Sequence, residues 1–191
     1  MMTTTTDSPL DLYRWTVTKY HRLSEAGILD EDAGVELING QIIIMSPLGD
    51  LHAACVDLLD ELFRDLLGKE VQIRVQNPIL LNDFSEPEPD LAILRRKTNF
   101  YADGAPRPED VLLVVEVADT TLAKDRLVKK PAYAAAGIAE YWIVNLPERQ
   151  VEQYLRPAGE AYQLAHIYKS NQTVESEVTG PVTVEKLFPA F

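Results

Sequence analysis

The chain has 191 residues, 46% of them hydrophobic and 25% charged, a balance that suits one globular domain and excludes wholesale disorder. Its 30 acidic residues outweigh 18 basic ones for a formal charge of −12, which excludes charge-driven binding of nucleic acid over the whole surface and confines such contact to a local patch. A single cysteine, Cys55, excludes an internal disulfide and a cysteine-built zinc site, so the core must stabilise the fold. No apolar stretch approaches the ~18–20 residues of a membrane span, and the polar opening lacks a basic segment followed by an apolar one. A cytoplasmic protein is expected.

Residues 1–9, a threonine run without periodicity, are expected to fray, with one domain running from Leu10 to Phe191. Val17, Tyr20, Leu23 and Ala26 fall at three-residue steps and predict a short helix capped by Thr16 and stopped by Gly27. The β-rich runs 35–38 and 41–45 flank Asn39-Gly40, the dipeptide of a tight hairpin turn. From Gly49 to Leu67, the residues Leu51, Cys55, Leu58, Leu59, Leu62, Leu66 and Leu67 share one side of a long amphipathic helix ended by Gly68. Strands are predicted over 71–81, 90–94, 111–118 and 140–146, and the doubly apolar run 111–115 places its strand in the middle of a covered sheet. A helix over 120–136 ends at Gly137, with Pro131 either kinking it or standing in a first turn. The tail reads as antiparallel strands over 151–155, 161–167 and 182–184, with Leu187 and Phe188 packing back. This order gives an α/β or α+β domain on one mixed central sheet flanked by helices, with an antiparallel C-terminal extension.

Two acids stand out. Asp90 follows Glu86-Pro87-Glu88-Pro89 at the start of a strand, and Glu116 sits near the end of the most apolar strand, where a lone buried charge needs a partner or a metal. On neighbouring strands they could supply hard oxygen ligands for magnesium or manganese; alternatively Asp90 caps a turn and Glu116 pairs with an arginine. Asp125, Lys129 and Tyr133 share one helix face. A cation there could orient water and stabilise charge on a phosphate, or the cluster is a solvated face. In Glu140-Tyr141-Trp142 the alternation predicts one aromatic in the core and the other at a surface or interface.

The succession Val35-Glu36-Leu37-Ile38-Asn39-Gly40, Met45-Ser46-Pro47 with His52, Glu88-Pro89-Asp90-Leu91-Ala92, Val115-Glu116-Val117-Ala118, Asp125-Arg126 with Lys129 and Tyr133, and Gly137-Ile138-Ala139-Glu140-Tyr141-Trp142 resembles the Uma-type family of restriction endonucleases. That family belongs to the PD-(D/E)XK nuclease superfamily, and the likeness runs from about Thr16 to about Tyr154. It implies a restriction-endonuclease-like core in which Asp90 and Glu116 bind a divalent metal, with the backbone carbonyl of Val117 completing the shell. The superfamily's usual lysine stands two places after the glutamate, where this chain has Ala118. In the resembled family the following helix supplies it, so the implied residue is Lys129, with Lys124 the second candidate. Glu36 and His52 are implied auxiliaries, the first facing the site and the second touching a phosphate or a metal-bound water. On general grounds Glu36 could equally pair with a lysine and His52 with a backbone carbonyl.

The expected function is magnesium-dependent (or manganese-dependent) hydrolysis of DNA, with RNA or branched DNA as other substrates of the same chemistry. A local basic strip from Arg95, Arg96, Lys97 and the lysines of 124–130 would meet the phosphates. The competing class is a nuclease-fold module that binds nucleic acid or a protein without cutting, for which Ala118 argues. Cutting two strands with one site per chain favours a two-fold homodimer, and the tail from Val151 onward offers a strand edge for pairing.

Overall fold

The computed structural model describes residues 12–30, 33–47 and 49–190; the expected frayed terminus and the domain start at Leu10 lie outside the described residues. Helix α1 (Val17–Glu25) starts where Thr16, in extended backbone, accepts a hydrogen bond from the Lys19 amide, satisfying one of the orphan N–H groups of the first turn. Strands β1 (Val35–Ile38) and β2 (Gln41–Ile44) pair with Ile38 opposite Gln41. The two turn residues, Asn39 and Gly40, have φ of 52° and 79°, as a twisted two-residue hairpin demands. A Cβ at Gly40 would stand 2.8 Å from the Cβ of Arg14. Gly40→Ala is therefore expected to cost about 1–2 kcal/mol, read as a lower urea midpoint at unchanged slope; a wild-type midpoint would refute the close approach.

Helix α2 (Asp50–Leu67) buries His52, Cys55, Val56, Leu59 and Phe63, a stripe rotated from the expected leucine side. Leu66 is exposed, while Leu51, Leu62 and Leu67 pack only partly against the core. Phe63 sets this rotation: it meets Trp142 edge to face at 6.1 Å, a geometry aromatic quadrupoles favour.

Six strands form the central sheet in the order β3-β4-β5-β6-β7-β8. They are β3 (Val71–Val75), β4 (Leu91–Arg95), β5 (Val111–Ala118), β6 (Glu140–Asn145), β7 (Gln150–Ala158) and β8 (Ala161–Lys169). Only β5 and β6 pair in parallel, because a helical crossover separates them. The expected strand 71–81 stops at Val75: Gln76 has a φ of 49° and Pro78 lacks a ladder donor. Asp90 falls just ahead of β4 rather than inside it.

The crossover comprises α3 (Leu122–Lys124), a π-helical turn over Asp125–Lys129 and α4 (Lys130–Ala135). Pro131 stands in the first turn of α4, which resolves the two readings of that proline. Its ring would crowd the carbonyl four residues back in a continuous α-helix, and the wider turn ahead of it relieves that clash.

Each sheet face carries its own core. On one, α2 and the C-terminal segment cover Val115, Val117 and Trp142; on the other, the hairpin and α4 cover Val114, Ala118 and Tyr141. Both aromatics of the Tyr141-Trp142 pair are therefore fully buried, correcting the expectation that one would reach the surface. A strand covered on both faces has no solvent side. In the C-terminal extension, β9 (Thr173–Val174), unforeseen in the sequence, pairs with β10 (Val182–Thr183). Leu187 and Phe188 pack back as expected, and β8 forms one outer edge of the sheet.

Candidate functional site

Alternation along β5 sends Val115 and Val117 to the α2 core and Val114 and Ala118 to the other face, so Glu116 leaves on the second side. Asp90 has the same parity as Ala92, which lies in that second core. The β4–β5 register begins with Leu91 opposite Val115; one rung further, the Val117 amide donates to Asp90 Oδ2 at 2.8 Å. The Asp90 carboxylate thus takes the place of a ladder partner. Amide and carbonyl of one strand residue leave on the same side, so the Val117 carbonyl also points towards the β4 side, beyond the end of β4.

His52, in the first turn of α2, meets Asp90 Oδ2 through Nε2 at 3.1 Å, while its buried Nδ1 has no partner among the described residues. It bonds the carboxylate rather than a backbone carbonyl. Burial raises the Asp90 pKa, but the His52 contact, the Val117 amide and the charge of Lys129 outweigh it and hold the carboxyl below its ordinary value.

Glu116 is 3% exposed. Its Oε1 accepts from Lys129 Nζ at 2.9 Å and from the Tyr133 hydroxyl at 2.7 Å. Burial pushes its carboxyl up to about 8; Lys129 pulls against this, while Asp90, Asp125 and Glu36 add to it. Lys129 also donates to the Glu88 carbonyl at 3.4 Å and forms an ion pair with Glu36 Oε2 at 3.3 Å, so one buried ammonium is held between two carboxylates and a carbonyl. Burial alone would lower the Lys129 pKa, but Glu116, Glu36 and Asp125 raise it above the ordinary lysine value. The lysine missing at Ala118 is thus matched, on the same carboxylate, by a lysine from the π-helical turn.

Glu36 is completely buried, bridging Lys129 and, at 3.4 Å, Lys124. It pairs with two lysines of the cavity wall. Among the described residues Lys124 makes that one long contact, and it keeps its side chain 20% exposed. Asp125, held by the Thr121 hydroxyl at 2.7 Å, and the Tyr133 hydroxyl were assigned no role from sequence. Their signals there are the four-residue spacing shared with Lys129 and a place in the run of motifs that carries the resemblance.

A cavity of 690 Å³ opens over this cluster, with His52, Asp90, Glu116, Val117, Lys124 and Lys129 on its wall. The lysines of the expected basic strip turn to separate partners, while Arg95 and Arg96 stay exposed, Arg95 donating to the Glu109 carbonyl and Arg96 lying over the Phe100 ring. Lys124 and Lys129 turn to Glu36, Arg126 to Glu152, Lys130 to the Tyr154 ring and Lys97 to Asp110.

The donor set suits a hard divalent cation. Both hydrogen bonds to Asp90 fall on Oδ2 and both to Glu116 on Oε1, leaving one oxygen of each carboxylate on the cavity wall for a ligand. Among the described residues, no group of three or more His, Cys, Asp or Glu could enclose a metal by side chains alone. Two carboxylates and a backbone carbonyl with water suit magnesium, which keeps several waters, better than a metal needing a full protein cage.

No helix among the described residues is long and apolar enough to cross a membrane. The fold is similar to the crystal structure of "a putative nuclease belonging to DUF820 from Anabaena variabilis", with a TM-score of 0.65 and 16% identity over 87% of this chain and 96% of that one. At that identity the likeness concerns fold alone. No curated protein matches. The profile of the Uma2 family, described as "Putative restriction endonuclease", matches residues 17–185, nearly the whole described fold. The chain therefore belongs to the Uma2 family.

Proposed function

We propose that this protein is a magnesium-dependent endonuclease, with manganese as a substitute ion, that hydrolyses phosphodiester bonds in DNA. The observation that carries this reading is the meeting of Asp90 and Glu116 on one cavity wall, each with an oxygen to spare, with Lys129 fixed on Glu116. Asp90, Glu116 and the Val117 carbonyl would hold the ion. Bound there, it would supply Lewis-acid polarisation of the phosphate and lower the pKa of a water.

The protein's own groups divide the remaining work. Lys129, hydrogen-bonded to Glu116 and the Glu88 carbonyl and ion-paired with Glu36, contributes a fixed positive charge rather than a proton acceptor. Lys124, on the cavity wall with one long contact among the described residues, would meet a phosphate oxygen as water attacks in line and the opposite oxygen departs. His52 orients Asp90. A two-fold pair of copies, using the β8 edge, would present two such sites to a duplex.

The test is incubation of plasmid, single-stranded DNA and RNA with the purified chain and magnesium or manganese, with and without EDTA, beside an Asp90→Asn preparation. Plasmid cutting that EDTA and the variant both abolish is the expected result. Cutting of RNA alone would reassign the substrate. No cutting of any substrate would overturn the enzyme in favour of a nucleic-acid-binding or protein-binding module on the nuclease fold, the class for which Ala118 speaks.

A further inference from the structure

We infer that Tyr133 is a positioning residue: its hydroxyl, with Lys129, fixes the Glu116 carboxylate so that one oxygen stays available to a divalent cation. This rests on the metal reading above. A glutamate carboxyl turns about a broad terminal torsion, so a single donor holds one oxygen and leaves the plane free to swing. Here two donors, one helical turn apart, converge on the same Oε1 at 2.7 and 2.9 Å and fix that plane.

The hydroxyl is itself rigidly delivered. Tyr133 is fully buried, its ring 5.0 Å from Tyr141, which stacks in turn on Tyr154 at 5.9 Å. A column of packed rings thus aims one O–H at one carboxylate oxygen. The bland alternative is a hydroxyl that merely satisfies its own buried polarity. Tyr162 offers that case for comparison: it joins the same aromatic row but donates to the Ile138 carbonyl at 2.9 Å rather than to a carboxylate of the site.

The experiment is calorimetric titration of the full chain with manganese ion, in wild type, Tyr133→Phe and Tyr162→Phe, alongside thermal unfolding. Outer-shell partners of metal ligands typically govern affinity by about 10–100-fold. Tyr133→Phe is expected to weaken manganese binding by about 10-fold or more, and Tyr162→Phe to leave it unchanged, with comparable losses of melting temperature in the two variants. Unchanged manganese affinity in Tyr133→Phe overturns the positioning role while the metal reading stands. Equal weakening in both variants also overturns it, since loss of any buried hydroxyl would then suffice. A wild-type chain that binds no manganese removes the metal reading and the role of Tyr133 with it.

Discussion

Lys129→Ala is expected to destabilise the protein by about 3–5 kcal/mol, the usual cost of removing one partner from a buried ion pair. The cost comes less from the lost attraction than from what remains. Glu116 and Glu36, 3% and 0% exposed, would face each other with no cation between them, and the Glu88 carbonyl would lose its donor. Lys124 cannot take over fully, because its contact with Glu36 is at 3.4 Å and on the other oxygen. Against a total stability that for most domains is about 5–15 kcal/mol, such a loss should be plain in urea denaturation. A loss below about 1 kcal/mol, the range of exposed ion pairs, would show that Lys129 is not held between the two acids.

This stability effect bears on any kinetic test of Lys129. A drop in turnover in Lys129→Ala could reflect a loosened site as easily as a missing charge. Lys124→Ala carries no such burden: its side chain is partly exposed and makes one long contact. Loss of cleavage with unchanged unfolding in that variant would identify the phosphate-facing cation.

The sequence made the local features legible and the long-range ones only in part. The Asn39-Gly40 turn, the Thr16 cap and the doubly covered β5 each follow from a few neighbouring residues whose backbone or burial preferences agree. Asp90 and Glu116 stood out because each is an acid beside an apolar run, and the sheet brings them together because β4 and β5 are neighbours. The orientation of α2 was not legible: leucines and Phe63 both repeat at helical spacing, and only the position of Trp142 across the interface selects between them. The partners of the cations were equally hidden. Lys124, Arg126, Lys129 and Lys130 lie within seven positions, yet the wider π-helical turn and the long side chains deliver them to separate places. The role of Glu36 as the anchor of Lys124 and Lys129 depends on the hairpin folding back over α4's side of the sheet, a contact between segments nearly ninety residues apart.

Asp90→Asn and Glu116→Gln separate the chemistry of the site from its architecture, and each is expected to abolish detectable metal-dependent cleavage while leaving the fold intact. The amides are nearly isosteric with the acids and keep an acceptor oxygen. In Asp90→Asn that oxygen can still take the Val117 amide and His52; in Glu116→Gln it can still take Lys129 and Tyr133. Lys129 would retain Glu36 and the Glu88 carbonyl, so the loss of stability should stay within about 1.5–3 kcal/mol, the worth of a hydrogen bond to a charged group. Alanine at position 90 would instead strand the buried Val117 amide, at a cost of about 1–3 kcal/mol, and would confuse unfolding with lost chemistry. What the amides remove is negative charge at the oxygen a hard cation needs. Manganese titration and plasmid cleavage on the same preparations check both halves of the expectation. Wild-type metal affinity and cleavage in both folded variants would remove Asp90 and Glu116 from the metal site and leave them as parts of a buried polar network that supports the sheet.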